Sequence, residues 1–328
     1  MNIKKSSVNE LETYLIKMNW ISTNEKVLHK MSAGDGNMNC VLRIQTNLNS
    51  FICKQSNDFV EKYPHIFAPK NRVQTEALFY KKIKTNPKIQ KMMPEMFGID
   101  IENNIMFLED LGDINDYSSL YTLQNKISND ELKSLTSYLN ELHQSFVKSE
   151  RDFELSNVAM RKLNHEHIFE FPFLEDNGFD LDVIQNGLQQ LAVPIKTDNV
   201  LKEAIKELSN RYLENGKYLL HGDFYPASWL NCRGEIKIID PEFCYYGHRE
   251  FDLGVFIAHL YLSNQQNEAI EFVKKCYIDF DTLNHKLLNG FIGIEILRRL
   301  IGLAQLPLKM NLELKNNLLK KAQKLILN

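Results

Sequence analysis

The spacing of apolar residues changes partway along the chain. In SVNELETYLIKMNW, Leu11, Leu15 and Met18 recur at helical intervals. KVLHKMSAGDGNMNCVLRIQT then reads as two strand-like runs around a Gly34-Asp35-Gly36 turn, and polar NLNS leads into a third run, SFICKQS. These runs predict a meander of antiparallel strands. NRVQTEALFYKKIKTN predicts a helix closed by Pro87. MPEMFGIDIENNIMFLEDLGD predicts two more strands joined by a turn at Asn103-Asn104. From about Asp113 onward the helical period takes over. NDELKSLTSYLNELHQSF carries Leu132, Leu135, Leu139 and Leu142 on one face behind a cap at Asn129 or Asp130. NVLKEAIKELSNRYLEN, GVFIAHLYLSNQ, NEAIEFVKKCYIDF and two carboxy-terminal segments predict further helices, interrupted only by the strand-like KYLLHGDF and EIKIID. The expectation is an α+β chain of two lobes: a strand-rich lobe over 1–112 and a helical lobe over 113–328, hinged at 108–112. A cleft between lobes is a usual place for a cofactor.

A chain of 328 residues is long enough for two cores. The net charge of −3 carries no basic excess, so neither nucleic acid nor an anionic membrane is an expected partner. The 5 cysteines are scattered and show no CxxC spacing, which suits reduced thiols rather than a disulfide frame or a zinc site. The first fifteen residues hold no apolar run of signal-peptide length, and Arg298 and Arg299 break the most apolar stretch, FIGIEILRRLIGLAQL. A cytoplasmic location follows as an expectation.

Four elements carry chemistry. In HGDFYPASWL, the apolar run Tyr218-Leu219-Leu220 ends in His221-Gly222-Asp223, and a polar Asp closing a buried run has to be hydrogen-bonded or functional. EIKIIDPEF is a second apolar strand ending in acid. In extended chain Asp240 and Glu242 would share a face, where two carboxylates repel unless a cation lies between them. Magnesium, which prefers oxygen ligands, suits such a clamp. The glycines of GDGNMN would let backbone N–H groups approach phosphate oxygens, although there is no GK[ST] and no helix directly after the turn. Lys54 follows that turn by one hairpin, where a kinase places its phosphate-pairing lysine, and Glu76 on the next helix is the nearest carboxylate to hold it. Each element alone has a plainer reading: a turn aspartate, a solvated edge, a hairpin glycine, a strand lysine facing water. Their order along the chain is that of the working parts of phosphoryl transfer.

On these residues the chain resembles the aminoglycoside phosphotransferase and choline kinase superfamily, and within it the methylthioribose kinases. HGDFYPAS is similar to that family's catalytic loop, which carries serine where most relatives have asparagine. DPEFCYYGHREFDLG resembles its metal-binding stretch, GDGNMN its glycine-rich loop, and ILRRLIGLA its paired-arginine helix. The resemblance runs from about residue 30 to about 305 and implies a bilobal protein-kinase-like fold, with ATP and Mg2+ as cofactors and a small-molecule acceptor.

The resemblance also implies residue roles. Asp223 would be the catalytic base or orienter of the acceptor hydroxyl. Asp240 would bind magnesium, with Glu242 as second ligand and Ser228 where the superfamily's metal-binding asparagine stands. Lys54, held by Glu76, would pair with ATP phosphates lying under Gly34, Asp35, Gly36 and Asn37, and backbone groups around Glu109–Leu111 would bind adenine. Arg298 and Arg299 would contact the acceptor, and Tyr63, before Pro64, stands near where that family has a tryptophan beside the sugar. The stretch between DPEF and the arginine pair is shorter than in that family, and His248-Arg249 replaces small or apolar residues. These departures surround the acceptor pocket rather than the ATP site.

The expected activity is ATP-dependent phosphorylation of a sugar hydroxyl, 5-methylthioribose or a related 5-substituted ribose. An aminoglycoside, choline or amino-alcohol acceptor on the same machinery is the alternative, and a catalytically inactive nucleotide-binding module is a third reading, supported only by Ser228. A homodimer is a possible assembly. Asp252 is expected to brace the catalytic loop, Trp229 to lie in the core, His165 and His167 to lie on the surface, and Lys315, Lys320, Lys321 and Lys324 to form a solvated helix face.

Overall fold

The amino-terminal part is built on one antiparallel sheet. Helix α1 (Val8–Lys17) starts from a capping box between Ser7 and Glu10 and lays Leu11 and Leu15 into a core with Ile44, Cys53 and Phe107. Strands β1 (Val27–Ser32), β2 (Cys40–Thr46) and β3 (Ser50–Gln55) form the expected meander. The pattern did not announce β4 (Phe59–Val60) and β5 (Tyr63–Phe67), a small separate hairpin too short for a period to register. Helix α2 (Arg72–Ile83) stops before Pro87, which instead opens the short α3 (Pro87–Lys91) behind an Asn86 cap. Strands β6 (Met96–Asp100) and β7 (Ile105–Glu109) complete a sheet of order β1-β2-β3-β7-β6. Strand β3 is therefore central, and Lys54 is held in register opposite Val41 on one side and Met106 on the other. The computed structural model describes residues 1–34, 38–122, 125–149 and 155–328.

The remainder is mainly helical. It contains α4 (Ser119–Thr122), α5 (Asn129–Ser145), α6 (Val158–His165), α7 (Leu188–Thr197) and α8 (Asn199–Leu213). The cap of α5 is Ser128 rather than Asn129 or Asp130. Ser128 and Glu131 form a reciprocal box that satisfies two backbone amides, which a cap one residue later would forgo. Strands β8 (Tyr218–Leu220), β9 (Trp229–Cys232), β10 (Glu235–Ile238) and β11 (Tyr245–Gly247) make two small ladders, β8 with β11 and β9 with β10. The two strands legible in sequence thus pair not with each other but with partners of three and four residues.

Helices α9 (Glu250–Leu262), α10 (Asn267–Cys276), α11 (His285–Ile301) and α12 (Leu312–Leu327) close the chain. Buried nearly all round, α9 and α11 cross at the centre of the core. A Cβ at Gly254 would lie 2.8 Å from the Phe291 Cβ, so glycine is needed at that crossing. The architecture is the expected α+β arrangement of an antiparallel-sheet region followed by a helical one. Among the described residues no helix is long and apolar enough to cross a membrane. Trp229 is fully buried. Two surface expectations fail: His165, against Ser209 on α8, and His167 are both half-buried, and Lys315 is buried, whereas Lys320, Lys321 and Lys324 are exposed.

Candidate active site

On β3, Lys54 meets the glutamate that the sequence suggested. Its Nζ lies 2.7 Å from Glu76 Oε2 and 2.7 Å from Asp240 Oδ1. Burial works against a charged lysine here, but Asp240, Glu76 and Glu242 outweigh it and hold Lys54 protonated. Burial works to raise the Glu76 carboxyl, and the Lys54 ammonium beside it pulls it down. A sheet residue, a helix residue and a residue far along the chain thus meet at one cation.

Asp240 has a left-handed backbone, φ 62°, and β10 has already ended at Ile238. The alternation that would put Asp240 and Glu242 on one face therefore breaks between them. The Asp240 side chain faces Lys54 and stays 49% exposed. Glu242 instead accepts from Asn39 Nδ2 at 2.7 Å and lies 3.7 Å from Arg72 Nε. Two cations act on Glu242 in this arrangement, Lys54, which Asp240 shares, and Arg72. Arg72 also donates to Asn39 Oδ1 and to the Met38 carbonyl, so it holds the chain just after the glycine turn. Of that turn, Gly34 has the left-handed φ of 79° that favours glycine, while Asp35, Gly36 and Asn37 lie outside the described residues.

The loop after β8 is fastened from behind. Asp252 at the start of α9 accepts from the His221 N–H at 2.7 Å and the Gly222 N–H at 2.9 Å, and it lies 3.2 Å from His143 Nε2. The brace therefore runs through two backbone amides rather than the His221 ring. The ring makes a separate connection. Its Nε2 donates to the Ile239 carbonyl at 2.9 Å, while Nδ1 accepts from the Asp223 N–H at 3.3 Å. Burial lowers the His221 pKa, in keeping with a neutral ring that both donates and accepts. One imidazole thus ties the Asp223 loop to the residue before Asp240. Gly222 has φ 85°, and a Cβ there would fall 2.2 Å from the Phe243 carbonyl oxygen. The Ser228 hydroxyl donates to the Asp223 carbonyl at 3.1 Å.

Asp223 itself is mostly enclosed, and burial raises its carboxyl to about 6 even though Arg299 and Arg298 pull it down. Its Oδ1 has no hydrogen-bond partner among the described residues. Arg299 Nη2, 3.6 Å away, is likewise unpartnered. Glu295, one turn back on α11, takes Arg298 Nη1 at 3.0 Å and Arg299 Nε at 2.6 Å. The Tyr225 ring lies 4.7 Å from the Arg299 guanidinium carbon.

Three remaining expected residues make local contacts of their own. Glu109 ends β7, and its carboxylate accepts from the Glu95 N–H at 3.0 Å. Leu111 is half-buried in the connection that follows. Tyr63 lies on β5, its ring edge-on to His65. Asn39, Arg72 and Glu295 were not singled out from the sequence. An arginine opening a helix, or a glutamate before two arginines, reads as a solvated charge until the fold buries it.

Among the described residues no three or more His, Cys, Asp and Glu side chains gather as a metal cluster. The half-exposed Asp240 carboxylate is a sparse oxygen donor set. It suits a hard cation that arrives with phosphate oxygens and keeps its waters, as Mg2+ does.

The model of the fructosamine kinase family matches residues 22–269. Methylthioribose kinase from Bacillus velezensis is 24% identical over 318 residues, covering 83% of this chain and 77% of the relative. The methylthioribose kinase of Exiguobacterium sibiricum is 25% identical over 320 residues, with coverage of 83% and 79%. Among solved structures, the choline kinase LicA from Streptococcus pneumoniae superposes with a TM-score of 0.56 at 16% identity, covering 97% of this chain and 99% of that one. A spectinomycin phosphotransferase in complex with ADP and spectinomycin gives 0.55 at 12% identity, covering 98% of each chain. At such identities the structural likeness speaks to the fold alone.

Proposed function

The chain belongs to the fructosamine kinase family and is an ATP-dependent phosphotransferase; from that premise we propose that it transfers the γ-phosphate of ATP to a hydroxyl of a 5-substituted ribose, with 5-methylthioribose the first candidate. The observation that carries this reading is the pair of unpartnered atoms at the centre. Asp223 Oδ1 can only accept, Arg299 Nη2 can only donate, and the 3.6 Å between them is too long for a direct bond. A hydroxyl satisfies both: it donates to Asp223 and accepts from Arg299. An ammonium group would satisfy the carboxylate but face Arg298 and Arg299, which counts against amine-bearing acceptors.

In this reading Asp223 orients the acceptor hydroxyl and takes its proton as the bond from that oxygen to the γ-phosphorus forms and the bond from phosphorus to the ADP oxygen breaks. Lys54 exchanges Asp240 for phosphate oxygens, and Glu76 keeps the lysine in place while it does so. Asp240 would hold Mg2+, whose chemistry is to neutralise charge on the transferring phosphate. Glu242 and Ser228 would support it from behind, Glu242 through Asn39 and Arg72, Ser228 through the Asp223 carbonyl. Residues 34–37 would cover the phosphates, backbone around Glu109 and Leu111 would receive adenine, and Tyr63 would wall the acceptor pocket. A cytoplasmic location agrees with such substrates.

The test is an ADP-release screen on purified protein with 5-methylthioribose, other riboses, a fructosamine, aminoglycosides and choline, with and without magnesium. The expected result is magnesium-dependent turnover with the 5-substituted ribose preferred. A preference for an amine-bearing acceptor would overturn the acceptor assignment, and no turnover with any acceptor would favour an inactive module.

A further inference from the structure

Helix α11 is apolar along most of its length, yet its last two turns bury Glu295, Arg298 and Arg299, and α9 adds the fully buried His259. Buried ion pairs stabilise folds poorly compared with apolar side chains of similar size. If this group served only the fold, it would be expected to close on itself. It does not: Arg298 Nε and Arg299 Nη2 are left without hydrogen bonds among the described residues, the latter beside Asp223.

The group forms a directed chain. Arg298 and Arg299 outweigh burial and hold the Glu295 carboxyl well below the usual carboxylate range, so it can only accept. His259 Nε2, 3.0 Å from Glu295 Oε1, must therefore carry the proton. With burial pushing His259 down to about 4, the ring is neutral and its Nδ1 accepts. The Tyr121 hydroxyl, 2.6 Å from Nδ1, must then donate. From Tyr121 on α4 through His259 on α9 to Glu295 on α11, each hydrogen has one direction. Adjacent residues on a helix point about 100° apart, so neighbouring arginines would ordinarily face different surroundings. Glu295 lies three and four residues before them and draws both guanidiniums to one side.

We propose that Glu295, His259 and Tyr121 are positioning residues for phosphoryl transfer, a buried chain that aims Arg299 at the acceptor oxygen beside Asp223. The proposal rests on the acceptor reading above, since it assigns the chain to the acceptor side and not to the nucleotide.

Three variants test it: Glu295→Gln, Tyr121→Phe and the double variant, with steady-state kinetics varying ATP and 5-methylthioribose separately. Glu295→Gln is expected to raise the acceptor KM about tenfold or more, the loss expected of a charge-assisted hydrogen bond, while the KM for ATP stays as in the wild type. Tyr121→Phe, at the far end, is expected to raise the acceptor KM about threefold. The double variant should be no worse than Glu295→Gln alone, because both changes break one chain. Equal rises in both KM values, fully additive effects, or no change in any variant would overturn the proposal.

A second readout needs no acceptor. The Arg299 Nε–H resonance of 15N-arginine-labelled protein should exchange slowly with solvent in the wild type and faster in Tyr121→Phe, a variant expected to fold even if Glu295→Gln does not. Unchanged exchange in Tyr121→Phe would overturn the chain itself. Slowed exchange in the wild type together with a failed acceptor screen would instead remove only the sugar assignment.

Discussion

The two halves of the site handle charge differently. On the nucleotide side, Lys54 is already neutralised at 2.7 Å by both Glu76 and Asp240, and Glu242 is engaged by Asn39 and Arg72. On the Asp223 side, Asp223 and Arg299 form an ion pair across 3.6 Å in which neither facing atom is hydrogen-bonded among the described residues. The first half holds Lys54 in two contacts of 2.7 Å that a ligand must open, whereas the second is a longer ion pair whose two atoms a ligand must complete. Lys54 can change partner at little cost because phosphate oxygens replace a carboxylate like for like. Asp223 and Arg299 have no such substitute until a hydroxyl bridges them from one side, so discrimination among acceptors is expected to arise there.

Variants on the two sides should break this contrast through different observables. Asp223→Asn keeps the shape but removes the proton acceptor, so turnover should fall about 10²- to 10⁴-fold with ATP affinity retained, as isothermal titration would show. Lys54→Met acts on stability instead. It leaves Glu76 buried without its cation, and thermal or urea unfolding should register a loss of about 3–5 kcal/mol. If Lys54→Met unfolds like the wild type, the two 2.7 Å contacts of Lys54 do not stabilise the fold.

Acidity sharpens the comparison. Burial raises the Asp223 carboxyl to about 6, so its charged form dominates above that pH. The acid limb of kcat/KM should therefore fall as pH drops through about 6. Arg299 favours the charged form, and Arg299→Gln should move the limb to higher pH. A limb that stays in place would mean that another group governs it. The smallest effect belongs to Ser228→Ala, which removes one hydrogen bond to the Asp223 carbonyl and should cost about 1 kcal/mol of stability. A collapse of magnesium-dependent turnover in Ser228→Ala, with stability intact, would assign Ser228 to the cation rather than to the loop.

Legibility in the sequence followed the range of each interaction. The meander around Lys54 could be read because alternation marks buried strands locally, and the Glu76 partnership because one strand and the following helix limit the choices. The shared face of Asp240 and Glu242 could not. It requires extended chain through both residues, and the left-handed φ of 62° at Asp240 ends the alternation between them. Ser128 is legible as a cap only once its box partner Glu131, three residues on, is seen to reach back to it. Strands β9 and β11 are as long as β10 and β8, but polar Asn231 and Gly247 interrupt them, so neither shows an apolar run or an alternation.

The amino-acid order by itself determined the antiparallel strands followed by helices, the kinase-like succession of motifs, and the acidic ends of two apolar strands, because local spacing and composition encode those features. Beyond Lys54 and Glu76, tertiary structure alone decided which charges meet. Arg72 is turned onto Glu242, Asp252 onto two backbone amides, and Tyr121, His259 and Glu295 are lined up behind Arg299 from three helices. The reason is physical. Residues separated by tens to hundreds of positions leave no periodic trace of one another, and a charge reveals its partner only when packing removes water and makes an unpaired group costly.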